Sequence, residues 1–164
     1  MSVFTSIAMN GLIEVFILSL LPTFEGRYAV IYGIGRGYPI HGTLVIASVA
    51  IFILSFALPF ALPFIDIIML RLEQTKLKRI GEGYLTYINR VRSKARPYVE
   101  KWGFFGLIIF VAIPLPGTGV WTGSLAAYLF GMERKKTVPA LIIGGLLSIL
   151  ITTIPTVGIA SILG

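Results

Sequence analysis

The 164-residue sequence has no cysteine and a single histidine, His41. Those absences exclude disulfides, thiolate nucleophiles, cysteine-held metals and a histidine cluster for zinc or iron. No GxxxxGK[ST] phosphate loop occurs, so nucleotide hydrolysis has no motif to rest on. No nucleophile–base pair or metal-ligand set is visible either, which leaves an enzyme without a constellation and no cofactor expected. Charge is scarce as well. Only 13% of residues are Asp, Glu, Lys or Arg, about half the share in a soluble domain. The N-terminus lacks the positive flank of a signal peptide, so the first hydrophobic stretch is expected to be retained.

What is abundant is apolar surface, at 56% of residues, more than so small a chain can hide from water. His41 to Ile65, Trp102 to Met132 and Thr137 to Gly164 contain no Asp, Glu, Lys or Arg. Each run exceeds the ~20 residues that a helix needs to cross a ~30 Å hydrocarbon core. The sequence therefore predicts an all-α integral membrane protein.

The net charge of +7 is concentrated: residues 67–101 hold nine basic and three acidic side chains. Leu70, Leu77, Ile80, Tyr84, Ile88, Val91, Ala95, Tyr98 and Trp102 recur at helical spacing there, predicting a basic amphipathic helix that Pro97 ends or bends. It reads either as a helix on anionic headgroups or as a linker made basic by the positive-inside tendency. The same topology explains the charge without nucleic acid.

That tendency places residues 67–101 and 133–136 in the cytoplasm, so the 31 residues from Trp102 to Met132 start and finish on one side. Pro114-Leu-Pro-Gly-Thr-Gly119 interrupts them. Trp102 to Ile113 would span only about 18 Å as a helix, so a re-entrant hairpin is expected, with Thr137 onward crossing outward. The first half repeats the plan: an arm from Val3 to Leu21, a broken tip at Pro22-Thr-Phe-Glu-Gly-Arg27, an arm from Tyr28 to Pro39, then a span from His41 to Ile65. The expectation is an inverted repeat of two hairpins and two spans, divided as 1–66, 67–101 and 102–164 within one membrane domain. A first arm that simply crosses is the alternative.

Charge inside a bilayer is costly, about 2.5–3.5 kcal/mol for a central Arg, Lys or Asp, so such residues are functional candidates. Glu25 and Arg27 share the first tip: a proton site beside an anion holder, or a pair that stabilises the tip. Glu14 lies mid-arm, either a second proton site or a partner of Arg27 or Arg36. Arg36 and Asp66 fall near segment ends, as interfacial anchors. At the second tip Pro114, Gly117 and Thr118 offer backbone and a hydroxyl, and Trp121 packs beside the cavity or anchors at the interface. Gly123, Ser124, Ala126, Ala127 and Gly131 form a small-residue face for close packing, through which a homodimer is possible.

Together, Pro22-Thr-Phe-Glu25-Gly-Arg27, Pro114-Leu-Pro-Gly-Thr-Gly119 and Trp121-Thr-Gly123 resemble a prokaryotic membrane family of small multidrug export proteins, over nearly the whole chain. More distantly, the paired hairpins look like the DedA superfamily with its VTT-domain proteins. That wider resemblance implies translocation of polyprenyl phosphates or phospholipids across the cytoplasmic membrane. Glu25 and Arg27 match its first-hairpin acidic and basic positions, and Pro114 and Gly117 its second-hairpin break. The arginine that DedA proteins usually carry near the second tip is missing here. Three functions follow as expectations: a DedA-like transporter of an amphiphilic lipid phosphate or phospholipid, a proton-coupled exporter of small cationic drugs, and a membrane-organising scaffold.

Overall fold

The computed structural model describes the backbone of residues 2–22, 24–73 and 78–163, and side chains from residue 11 onward apart from 23, 72–77 and the last two. Among the described residues six helices follow one another: α1 (Ser2–Leu20), α2 (Glu25–Gly35), α3 (Ile40–Glu73), α4 (Lys78–Ala112), α5 (Val120–Leu129) and α6 (Arg134–Leu163). The expected Thr23 of the first tip and Leu77 of the amphipathic face lie outside the described residues.

Two helices, over Ile40–Arg71 and Arg134–Ile162, are long and apolar enough to cross a membrane. Their exposed residues show what they face. Along α3, Val45, Val49, Phe52, Phe56, Phe60, Phe64 and Ile67 are all exposed large hydrophobics at steps of three or four. This is one apolar stripe about 33 Å long, close to the thickness of the hydrocarbon core. Ile143, Leu147, Leu150 and Ile154 continue the same pattern on α6. In water such stripes would carry a large hydrophobic penalty; in lipid they carry none.

The shorter helices pair. α1 packs on α2, and the end of α4 packs on α5. The partners of these pairs are crossed. α1 lies on α3 and α4 on α6, whereas α2 also packs on α6 and α5 on α3. The short helices α2 and α5 thus each pack on both long helices, α3 and α6. Glycines make the crossings close. A Cβ at Gly145 of α6 would lie 2.8 Å from Ile51 of α3, and one at Gly144 would lie 2.8 Å from Val111 of α4. The small-residue face behaves likewise: Gly123 meets Val111 and Leu141, and Ser124, Ala126 and Ala127 are buried within the chain. These four positions are occupied by the chain's own packing, while Gly131 is exposed.

Two expected boundaries differ. Pro97 neither ends nor bends α4, because it stands on the exposed face, where the lost hydrogen bond leaves a carbonyl that water can reach. The kink falls at Gly103 instead, with φ 51° and ψ −117°, a backbone that glycine adopts readily and other residues rarely. Beyond it α4 folds back far enough that a Cβ at Gly106 would collide with the Tyr98 carbonyl. The first limb of α4 also keeps its apolar face for protein. Gly81, Ile88, Val91, Ala95 and Val99 are buried, and the last four join Leu58 and Leu62 of α3 in the core. Ile80 and Trp102, read from spacing as part of that face, are exposed. The basic side chains, Arg90, Arg92, Lys94 and Arg96 among them, point outward.

Gly106→Ala should cost about 1–3 kcal/mol by forcing the limbs of α4 apart. Gly83→Ala, on an exposed helical position with nothing within 4 Å, should instead stabilise by about 0.5–1 kcal/mol. Thermal unfolding in detergent checks both, and equal midpoints for the two variants would contradict the packing at the kink.

Candidate functional site

The two breaks meet. Residues 113–119 connect α4 to α5 without helix, which leaves carbonyls free at the end of α4 and N–H groups free at the start of α5. Gly119, the residue before α5, has no side chain with which to cap it. The caps come from the other half of the chain. Glu25 Oε1 accepts from the Trp121 backbone N–H at 3.1 Å. Arg27 Nη1 donates to the Ile113 carbonyl at 3.0 Å and to Thr118 Oγ1 at 3.1 Å. The carboxylate therefore stands at the positive end of α5 and the guanidinium at the negative end of α4, each where the helix dipole favours it.

Glu25 and Arg27 are each only 5% exposed and pair with each other, Nη2 to Oε2 at 3.4 Å. They are not in an irregular tip, as the sequence led one to expect, but in the first turn of α2. Glu25 enters that turn with φ 51°, a left-handed conformation that costs a non-glycine residue about 1–3 kcal/mol. The contacts of its carboxylate hold it there. The single hydroxyl hydrogen of Thr118 has the Ile113 and Leu115 carbonyls within reach, 2.6 and 2.7 Å from Oγ1, which fixes the loop. Trp121 Nε1 donates to the Leu20 carbonyl at 3.1 Å, tying α5 to the end of α1.

A cavity of about 710 Å³ opens beside this junction, within the range of small-molecule pockets. Glu25, Arg27, Thr118 and Trp121 line one side; Leu62 and Ile65 of α3 and Tyr84 and Tyr87 of α4 line another. Phe24, Tyr28 and Pro116 complete a mostly apolar and aromatic wall. The cavity thus lies toward the end of α3 that carries the basic segment, the side expected to be cytoplasmic.

The sequence-derived candidates separate into two groups. Glu25, Arg27, Gly117, Thr118 and Trp121 line the cavity. Pro114 is exposed on the same loop outside it. Glu14 is elsewhere: it accepts from Tyr32 Oη at 2.8 Å and Tyr38 Oη at 3.0 Å on an exposed surface, and not from Arg27. Asp66 is more than an anchor, since its two oxygens accept from Tyr84 at 3.0 Å and Tyr128 at 2.9 Å, joining α3, α4 and α5. Burial and the bond to Asp66 push the Tyr84 phenol above its usual range, so it stays a neutral donor.

Sequence reasoning passed over four residues here. Gly119, at φ 135°, is where a Cβ would collide with the Glu25 carboxylate and lie 2.6 Å from Arg27 Nη2. Its position directly before an apolar helix was the available signal. Tyr84 was visible only as a member of a helical face, and Tyr87 falls outside that face. Lys94 donates to the Pro116 carbonyl at 3.1 Å, holding α4 to the loop, and nothing in the sequence distinguishes it from its basic neighbours.

The family described as "Putative small multi-drug export protein" matches residues 25–151. No curated protein and no solved structure matches the chain.

Arg27→Met should lower stability by about 3–5 kcal/mol, because it strands a buried carboxylate and two loop acceptors. Adding Glu25→Gln should restore a large part of that loss, as removing both charges of a buried pair costs far less than removing one. Unfolding in detergent, followed by fluorescence, checks the cycle; additive losses would mean that the pair is not coupled.

Proposed function

Since this chain belongs to the small multidrug export family, over residues 25–151, we propose that it carries amphiphilic organic cations out across the membrane through the cavity at the meeting of its two helix pairs. The family and the two long apolar helices make it a multi-pass membrane protein with a transport role. The finer reading is that the α1–α2 pair and the end of α4 with α5 are re-entrant hairpins of an inverted repeat. α2 has 11 residues and α5 has 10, about 16 and 15 Å, half of what a crossing requires. The crossed packing of α2 on α6 and α5 on α3 supports the repeat, as broken helices meeting at mid-membrane are a recurring transporter plan. The cytoplasmic membrane of a prokaryote is the proposed location.

The observation that carries the substrate class is the carboxylate at the floor of an aromatic cavity. Both terminal nitrogens of Arg27 are engaged, to Ile113, Thr118 and Glu25. A phosphate could take the guanidinium only by separating the breaks, and it would meet the Glu25 carboxylate as it did so. Glu25 uses two of its roughly four acceptor sites, on Trp121 and Arg27, and so still accepts from a cation. Tyr28, Tyr84, Tyr87 and Trp121 in the wall offer faces to an organic cation, each worth about 0.5–2 kcal/mol. A proton or a cation on Glu25 weakens its hold on Arg27 and α5, which links occupancy to opening.

The DedA-like reading, a lipid phosphate or phospholipid as cargo, keeps one observation in its favour: Lys94, on the basic face of α4, donates to the carbonyl of Pro116, a residue that lines the cavity. The scaffold reading rests on the basic side chains of α4, which point outward, while the apolar face of that helix is buried against α3.

In inside-out proteoliposomes with an imposed pH gradient, a fluorescent organic cation should accumulate at least ~10-fold faster than in empty vesicles, and Glu25→Gln should return it to background. Movement of a labelled lipid phosphate without movement of the cation would reverse the order of the two cargoes. Movement of neither would overturn the transport reading.

A further inference from the structure

The junction has a second side. Opposite the large cavity, a small space of about 10 Å³ is lined by Glu25, Gly26, Arg27, Gly119, Gly145 and Ser148, with Ile51 and Leu54 of α3 among the remaining walls. The large cavity touches α3 at Leu62 and Ile65. The α3 residues that line the two spaces are therefore about 16 Å apart along the helix, with the Glu25–Arg27 pair lining both spaces, and the void lies toward the end of α3 away from the basic segment.

Two polar atoms belonging to the void's lining residues have no partner. Arg27 Nε and Ser148 Oγ are both buried without a hydrogen bond, on residues that are 5% and 4% exposed. A buried donor left unpaired costs about 1–3 kcal/mol, and a void of this size admits about one water. From Ser148 onward, α6 carries hydroxyls at every fourth position, at Thr152 and Thr156, along one face. Their hydroxyls donate back to the Ser148 and Thr152 carbonyls, each at 2.7 Å, which leaves the oxygen lone pairs as acceptors. The lipid-facing residues of the same stretch, Leu150 and Ile154, are exposed and apolar.

We infer that the void is a water site held by Arg27 and Ser148, and that it is the inner end of an outward aqueous path along the Ser148–Thr152–Thr156 face of α6. Water entering there reaches Glu25 from the side opposite the large cavity, so the ion pair is the partition between the two aqueous phases. The path rests on the export reading for its purpose and on the geometry of α6 for its position. Gly145 sets its width. A Cβ there would lie 2.8 Å from Ile51 and 3.1 Å from Val120.

The absence of native cysteine makes the test direct, because a thiol reacts with methanethiosulfonates as the thiolate, which forms in water and not in lipid. Single substitutions Ser148→Cys, Thr152→Cys, Thr156→Cys, Leu150→Cys and Ile154→Cys are placed in proteoliposomes. The impermeant 2-(trimethylammonium)ethyl methanethiosulfonate is then added from the side of the α6 C-terminus. Positions 156, 152 and 148 should label in that order of rate, each at least ~10-fold faster than 150 and 154. Gly145→Ala added to Ser148→Cys should slow labelling at 148 several-fold and leave 156 unchanged in the matching pair. Labelling at 148 no faster than at 150, or equal labelling around the helix, overturns the path. These rates are read without any substrate. A protein that labels with this period but exports nothing sinks the export reading alone, and one that exports but does not label at 148 sinks the path alone.

Discussion

A helix that stops inside the protein, away from water, leaves up to four N–H groups or four carbonyls without partners, and each one left unsatisfied costs about 1–3 kcal/mol. The chain stops a helix at Ala112 and starts another at Val120 with no charge of its own between them. Everything else about the junction follows from how that debt is met. Glu25 serves the N–H end and Arg27 the carbonyl end, and one arginine also holds the loop hydroxyl of Thr118. The pair bridges a gap of about 90 residues in sequence.

That arrangement accounts for features which are odd in isolation. Glu25 tolerates a left-handed backbone because only there does its carboxylate face the start of α5. Gly119 has no side chain because the carboxylate takes the place where one would stand. The packing of α2 on α6 and α5 on α3 brings the two ends together. Burying two charges costs several kcal/mol per ion. The mutual attraction, the helix ends and the loop acceptors offset that cost jointly, which is why neither charge is stable there without the other.

Much of this was legible in the sequence, and the reasons are specific. The uncharged runs gave the long helices, since lipid admits few other readings of such a stretch. Pro114 to Gly119 marked the second break through proline and glycine chemistry, and Glu25 and Arg27 stood out because charge is rare beside apolar arms. Contacts across distance were not legible. That Arg27 reaches Ile113, that Glu14 turns to Tyr32 and Tyr38, or that Asp66 holds two tyrosines depends on which helix packs on which, and periodicity carries no such information. Pro97 misled for a related reason: proline disrupts a helix where its missing hydrogen bond is buried, and burial is a property of the fold. The true kink, at Gly103, sat six residues on, among aromatic residues that made it look like helix interior.

Synthesis proceeds from one end, and Arg27 precedes Thr118 by 91 residues. At about 5–20 residues per second, the first pair of helices waits roughly 5–18 s for the segment it is to cap. During that interval the carboxylate and guanidinium have only each other, two positions apart on the same turn. Their closeness thus has a use before the protein is complete: it lets the two opposite charges of α2 offset one another until the remainder arrives.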